Sequence, residues 1–245
     1  MRRSSSHGSL KRGWGLTFSG RSISMGRRLR GIAALAMVFA APAAALAAPP
    51  PGAPREQLNA ADNRRAQSVI LRQSDMFSGF RTDPTRTPHL VPHCADFPGD
   101  RSSVTISGDA TSSFSYKGNV IASGSVFFKT YADADRYWAR TVRARFATCD
   151  AEAFKSTLRK GIRSKTLMAR QIPIGATGAD DAAAFRTITR LTVKDVTQDW
   201  YRTVVFIRSG RGLAIIETGF AVRACECQTG FARRLALRLI DANRG

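Results

Sequence analysis

Histidine is nearly missing from this chain, with three in 245 residues, and acids are few, 18 Asp and Glu against 38 Lys and Arg. Cysteine is limited to four. Long hydrophobic runs are also lacking: the longest, Ile32 to Ala47, is broken by Pro42 and falls short of the ~20 residues of a bilayer span. These shortages exclude a good deal. A serine or cysteine nucleophile needs a base and an orienting partner within hydrogen-bond reach, and His7 lies in a leader-like segment. No Gly-x-Ser-x-Gly element joins a strand to a helix. Ser123-Gly124-Ser125 falls inside a strand-like run, where it relieves crowding. A phosphate-cradling glycine loop and an aromatic platform for nucleic acid are both absent, so no specific nucleic-acid partner is read.

Among the scarce acids, Asp180-Asp181 is a loop doublet, and most others stand beside arginine. Glu217, inside the apolar run LAIIETGF, is the exception. It is either a cleft acid with a raised pKa or a residue on the wet face of a half-buried strand. The period-2 pattern favours the second. No catalytic residue, cofactor or metal is assigned, and nothing in the sequence argues for an enzyme.

The first 47 residues read as a secretory leader. Arg27, Arg28 and Arg30 precede the apolar run, which ends in Ala45-Leu46-Ala47, so cleavage is expected after Ala47 or Ala48. Met25 is the expected true start, and no cysteine stands near the cleavage point to take a lipid. The Pro-rich stretch 48–57 is a spacer, and residues 58–243 form one domain with room for a core. Removing the leader takes eight cations and no acid, which leaves about +12. Such an excess favours anionic surfaces, although the arginines are scattered through every predicted element.

Along the chain, a helix is predicted over 58–72, with Leu58, Ala61, Ala66, Val69 and Ile70 on its apolar stripe and Asp62 off it. Residues 81–102 hold four prolines and read as a long loop. Strand-like runs follow at Ser103–Gly108, Ser112–Tyr116 and Val120–Lys129, the last two joined by a Lys117-Gly118-Asn119 turn. Thr130 caps a helix with the stripe Ala134, Trp138, Val142, Phe146, Cys149, and Asp150 opens a further helical turn. Strands at Lys165–Ile174, Ala184–Val193, Asp199–Arg208 and Leu213–Val222 precede a closing helix from Thr229. Successive strands with short connections imply antiparallel pairing with covering helices. The fold class is α+β, with two half-repeats of strands followed by a helix.

The cysteines allow three pairings. Cys94 with Cys149 would pin the proline loop to the core side of the middle helix, a closure worth roughly 4 kcal/mol in the chain-entropy account. Cys225 and Cys227 would then bond each other or remain a dithiol. The alternative sends each of them to a different distant partner. Together with His89 and His93 they also make an acceptable zinc set, but in an exported chain oxidised cysteines are the favoured fate.

A helix ending in Ser74-Asp75-Met76-Phe77-Ser78-Gly79-Phe80 is followed by a Cys-bearing loop and strands, a helix opening at Ala132-Asp133-Ala134 and ending near Cys149, more strands and a last helix. This layout resembles the extracellular sensor-type domains of actinobacterial PknH-like kinases and their secreted or lipoprotein relatives. The family's Asp-Leu-Pro-like turn is replaced here by Asp75-Met76-Phe77. The resemblance implies an antiparallel sheet with helices, disulfides and a ligand-binding cleft, and it supplies no catalytic residue. Phe77, Phe80, Trp200, Tyr201 and Glu217 are the candidate cleft residues. The leading reading is a secreted, non-enzymatic domain that binds an unidentified ligand or cell-envelope component; the charge excess allows an anionic one, but the scattered arginines favour an ordinary basic surface over specific anion recognition. A secreted enzyme using Glu217 or the proline-loop histidines, and a thiol-redox protein using Cys225 and Cys227, are the alternatives.

Overall fold

The computed structural model describes residues 52–84 and 101–244. The leader segment, His89, His93 and Cys94 lie outside the described residues. Eight strands form one sheet: β1 (Arg55–Glu56), β2 (Arg81–Thr82), β3 (Thr105–Tyr116), β4 (Asn119–Phe128), β5 (Ile162–Ile172), β6 (Asp181–Val193), β7 (Val196–Ser209) and β8 (Gly212–Phe220). Their order is β1-β3-β4-β8-β7-β6-β5, with β2 also paired to β3. Only the short β1–β3 pairing is parallel. Four helices pack on this sheet: α1 (Ala60–Val69), α2 (Tyr131–Thr141), α3 (Phe146–Ser156) and α4 (Gln228–Arg244). The class is therefore α+β, and each half runs strands and then helix. The halves join where β8 pairs with β4.

Turn chemistry fixes the hairpins. Lys117 and Gly118, both at positive φ (47° and 83°), close β3 onto β4 between the partners Tyr116 and Asn119. Gly210, at φ 53°, does the same between Ser209 and Gly212. The spacer contributes more than length: the Arg55 and Gln57 N–H groups donate to the Val104 and Ile106 carbonyls at 2.8 Å, adding β1 to the sheet edge.

Two elements differ from the sequence pattern. The runs around Ile106 and Phe114 belong to one strand, because the register shift between Ile106 and Gly108 leaves Ser107 as the one extra residue and pairing then continues. The long helix read from Thr130 to Cys149 is two helices. The β-branched pair Thr141-Val142 disfavours a further turn, Val142 leaves helical geometry at ψ 81°, and the Arg143 side chain caps the Ala139 carbonyl. The turn between them lets Tyr137 of α2 and Phe146 of α3 both bury against the sheet.

The core has two layers, as the period-2 rule demands of a sheet covered on both faces. On the first face, Val205 and Ile207 of β7, Ala214 and Ile216 of β8 and Phe127 of β4 pack under α1 and α4, where Phe231, Leu235 and Leu239 are buried. On the second, Val204, Phe206, Leu213, Ile215 and Phe185 pack under α2 and α3. Asp62, read as lying off the α1 stripe, is buried between α1 and the sheet. It accepts hydrogen bonds from Ser107 Oγ at 2.6 Å, Arg65 at 2.9 Å, Asn59 at 3.1 Å and Arg211 at 3.1 Å. A buried carboxylate is tolerated when it is paired and bonded in this way.

Candidate ligand-binding face

Several acids stand where helices and hairpins meet the sheet. Asp62 of α1 is clamped by Arg211 and Arg65, and Asp75 takes Arg238 through both oxygens at 2.8 and 3.0 Å, with Arg234 at 3.0 Å. Asp133, in the first turn of α2, accepts from the hydroxyl of the capping Thr130 at 2.9 Å and holds Arg136 at 2.6 Å. Asp181 and Asp135 hold Arg208, and Asp180 accepts the Gly210 N–H at 2.7 Å. Burial pushes the carboxyls of Asp62, Asp75 and Asp133 up, but the hydrogen bonds and cations around each overcome this and hold them well below the ordinary carboxylate range. These pairs tie helices and hairpins to the sheet, and none of these carboxylates pairs with a cation of β5.

The consequence appears on the first face beyond the cover of α4. There Arg170 of β5 stands directly opposite Arg186 of β6, and Lys165 of β5 stands opposite Arg190. Arg163 continues the row opposite Thr192. Residues directly opposed on antiparallel strands share a face, with Cβ atoms about 5 Å apart, and like charges in such pairs are destabilising. Arg163, Lys165 and Arg170 are exposed, and no ion pair is formed by them or by Arg186 among the described residues. Arg186 donates from Nε to Thr203 Oγ1 at 3.1 Å. Burial first, and then the charge of Arg170, make its guanidinium a weaker base than an ordinary arginine. Only Arg190 has a carboxylate, meeting Asp199 through Nε at 2.8 Å and Nη2 at 3.1 Å. At this end a cavity of about 420 Å³ is lined by Arg190, Asp199, Tyr201 and Val222. Another, of about 430 Å³, lies between Leu71, Asp83 and Ser112 at the opposite edge of the sheet.

The candidate cleft residues divide between the faces. Phe80 is buried in the first-face core, 5.8 Å from the Tyr116 ring, and Phe77 leans on Phe231 at 5.7 Å while staying 50% exposed. Tyr201 shares that face and reaches the cavity beside Arg190. Trp200 and Glu217 belong to the second face. Trp200 lies across Gly219, where an added Cβ would come within 2.7 Å of the indole. Glu217 accepts from Arg202 Nε at 2.9 Å, and Arg202 also bonds Asp150 of α3. Helices cover both faces at β8, so Glu217 has no wet face to occupy and is half-buried against Arg202 instead. Burial alone would lower the Arg202 pKa, but the two carboxylates raise it well above its usual value.

Cys225 and Cys227 form a disulfide with Cα atoms 5.2 Å apart. Cys149 is buried and also disulfide-bonded. Among the described residues no group of three His, Cys, Asp or Glu is placed to hold a metal ion, and no helix is long and apolar enough to cross a membrane. The cationic pairs were not picked out in the sequence. Their signal is the alternation Arg186, Ile188, Arg190, which only the pairing with β5 turns into a patch.

No protein-family model and no curated protein matches the chain. Among solved structures, it is similar to the crystal structure of the extracellular domain of PknH from Mycobacterium tuberculosis, with 11% identity and a TM-score of 0.41 over 75% of this chain and 97% of that one. A second is the X-ray structure of a putative uncharacterised protein (Rv0999 ortholog) from Mycobacterium smegmatis, with 14% identity and a TM-score of 0.36 over 75% of this chain and 98% of that one. The first belongs to the family that the sequence layout resembles. Neither carries a residue role to this chain.

Proposed function

We propose that this chain is an exported, non-enzymatic domain that binds an anionic component of the cell envelope on the open face of β5, β6 and β7. The observation that carries this reading is the opposition of Arg170 to Arg186 and of Lys165 to Arg190. Each pair of like charges costs stability, and an anionic ligand reverses that cost. The basic leader with its small-residue ending supports export. The test is retention of the purified protein on envelope extracts during a salt titration. Retention at low salt that fades as salt rises agrees with the proposal, and no retention by any fraction contradicts it.

A thiol-redox role is the second reading, favoured by the position of the Cys225–Cys227 disulfide. The Cys227 carbonyl accepts the Phe231 N–H at 3.1 Å, so the pair sits at the positive end of α4, where a thiolate is stabilised. Failure of a thiol reagent to label the pair after mild reduction would end this reading.

A further inference from the structure

We infer that the anionic partner is the headgroup plane of a phospholipid bilayer, met by the open face of β5 and β6 and by the exposed aliphatic residues at its margin; this rests on the anion-binding reading above. The shape of the charge array supports a plane. Arg163, Lys165 and Arg170 run along β5, with Arg186 and Arg190 beside them on β6. With strands about 4.8 Å apart and same-face neighbours about 6.6 Å apart along a strand, these cations fill two dimensions. A linear polyanion follows one row, whereas a lipid surface presents phosphates in two directions.

The aliphatic residues point the same way. β5 is the outermost strand, and its register shift between Thr166 and Met168 inserts Leu167, which is 41% exposed between Lys165 and Arg170. At the same corner, Lys194 stands exposed in the β6–β7 turn, and Val222, which lines the cavity with Arg190 and Tyr201, is 82% exposed. Arg159 and Lys160 are exposed at the entry to β5. Aliphatic side chains set among Lys and Arg suit the headgroup boundary, where cations meet phosphates and short apolar groups enter below them.

Charge complementarity holds across the corner. Its acids are Asp199, neutralised by Arg190, and Asp195 in the turn. Asp180 and Asp181 stand at the far end of β6, tied to Gly210 and Arg208. Lipid phosphates therefore meet arginine forks suited to bidentate hydrogen bonding, with little anionic surface to repel them.

The experiment is co-sedimentation of the mature chain with phosphatidylcholine vesicles, with and without phosphatidylglycerol, alongside binding to soluble long-chain polyphosphate. The expected result is binding only to the phosphatidylglycerol vesicles, weakening with salt. Each cation removed from the face should reduce it about fivefold, so Lys165→Ala with Arg170→Ala loses roughly 25-fold. Arg64→Ala, exposed on α1 near the opposite edge of the sheet, should change little. Leu167→Ser should weaken vesicle binding although it removes no charge. Melting temperatures no lower than the parent's verify folding of each variant. Binding to polyphosphate without binding to either vesicle would overturn the lipid assignment and leave the anion-binding face standing. Binding to neither probe would overturn both, and equal binding to both vesicle types would overturn the role of the cations.

Discussion

The carbonyl carbon of Asp62 lies 2.3 Å from the point where a Cβ on Gly108 would stand. Helix α1 thus rests on the backbone of β3 at the one place where that strand has no side chain, and the approach lets Asp62 reach Ser107 and Arg211. Gly108→Ala has to push the helix off the sheet, because the obstructing atoms are backbone and cannot rotate away. Its expected cost is about 2 kcal/mol or more. Gly230, in the first turn of α4 with open space around it, should show the opposite sign, since alanine there gains up to about 1 kcal/mol of helix propensity. Urea midpoints of the two variants test this, and equal signs would contradict it.

Acid should unfold the protein through Asp62, Asp75 and Asp133. Each carboxyl is held below its ordinary value of 3.8 in the folded state. Each therefore contributes stability that is fully present above that value and is lost as pH falls through the folded one. Thermal melts should change little from pH 7 to about 5 and then fall steeply below about pH 4. Asp62→Asn should be less stable than the parent at pH 7 and lose less on acidification. An unchanged acid slope in that variant would remove Asp62 from the account.

Arg202 bridges Asp150 of α3 and Glu217 of β8, with both Asp150 and Arg202 buried. Arg202→Met removes the cation between two carboxylates and should cost about 3–5 kcal/mol. Glu217→Gln keeps a hydrogen-bond acceptor for Arg202 and should cost far less. The ordering of the two, read from denaturant unfolding, matters more than either value. A milder effect of Arg202→Met would indicate that α3 is held mainly by Phe146 and its apolar neighbours.

Non-reducing peptide mapping should find Cys225 and Cys227 oxidised within a single tryptic peptide, between Arg223 and Arg233, and the Cys149 peptide joined to that of Cys94. A peptide joining Cys94 to Cys225 would overturn the proposed pairing.

These elements show what a linear reading can and cannot reach. The two sides of β7, Val205 and Ile207 against Val204 and Phe206, follow from alternation alone and appear on opposite faces of the sheet. So does the burial of Phe231, Leu235 and Leu239 on α4. Strand ends were harder, because a glycine can break a strand or, as at Gly108, stay paired beside a bulge. Asp62 escaped because its burial depends on Ser107 and Arg211, distant in sequence. The cationic face escaped for the same reason: arginines spread evenly over β5 and β6 become a patch only when their register is known. The division of Phe80 from Trp200 followed from helices covering both faces, which local pattern does not reveal.

The cationic face also makes a prediction that separates binding from structure. Residues that serve the fold lose stability when replaced, as Gly108 and Arg202 should. Arg170 faces Arg186 with no carboxylate to relieve it, and threonine suits a strand at least as well as arginine. Arg170→Thr should therefore raise stability, by about 0.2–1 kcal/mol, and should reduce the gain in melting temperature that added salt gives the parent by screening the pair. The same substitution should weaken retention on envelope extracts. A surface that is costly to the isolated fold and needed for retention is explained by a partner that neutralises it. Arg170→Thr melting below the parent at low salt would show instead that the arginine belongs to the architecture, and the cationic face would lose its claim as a binding site.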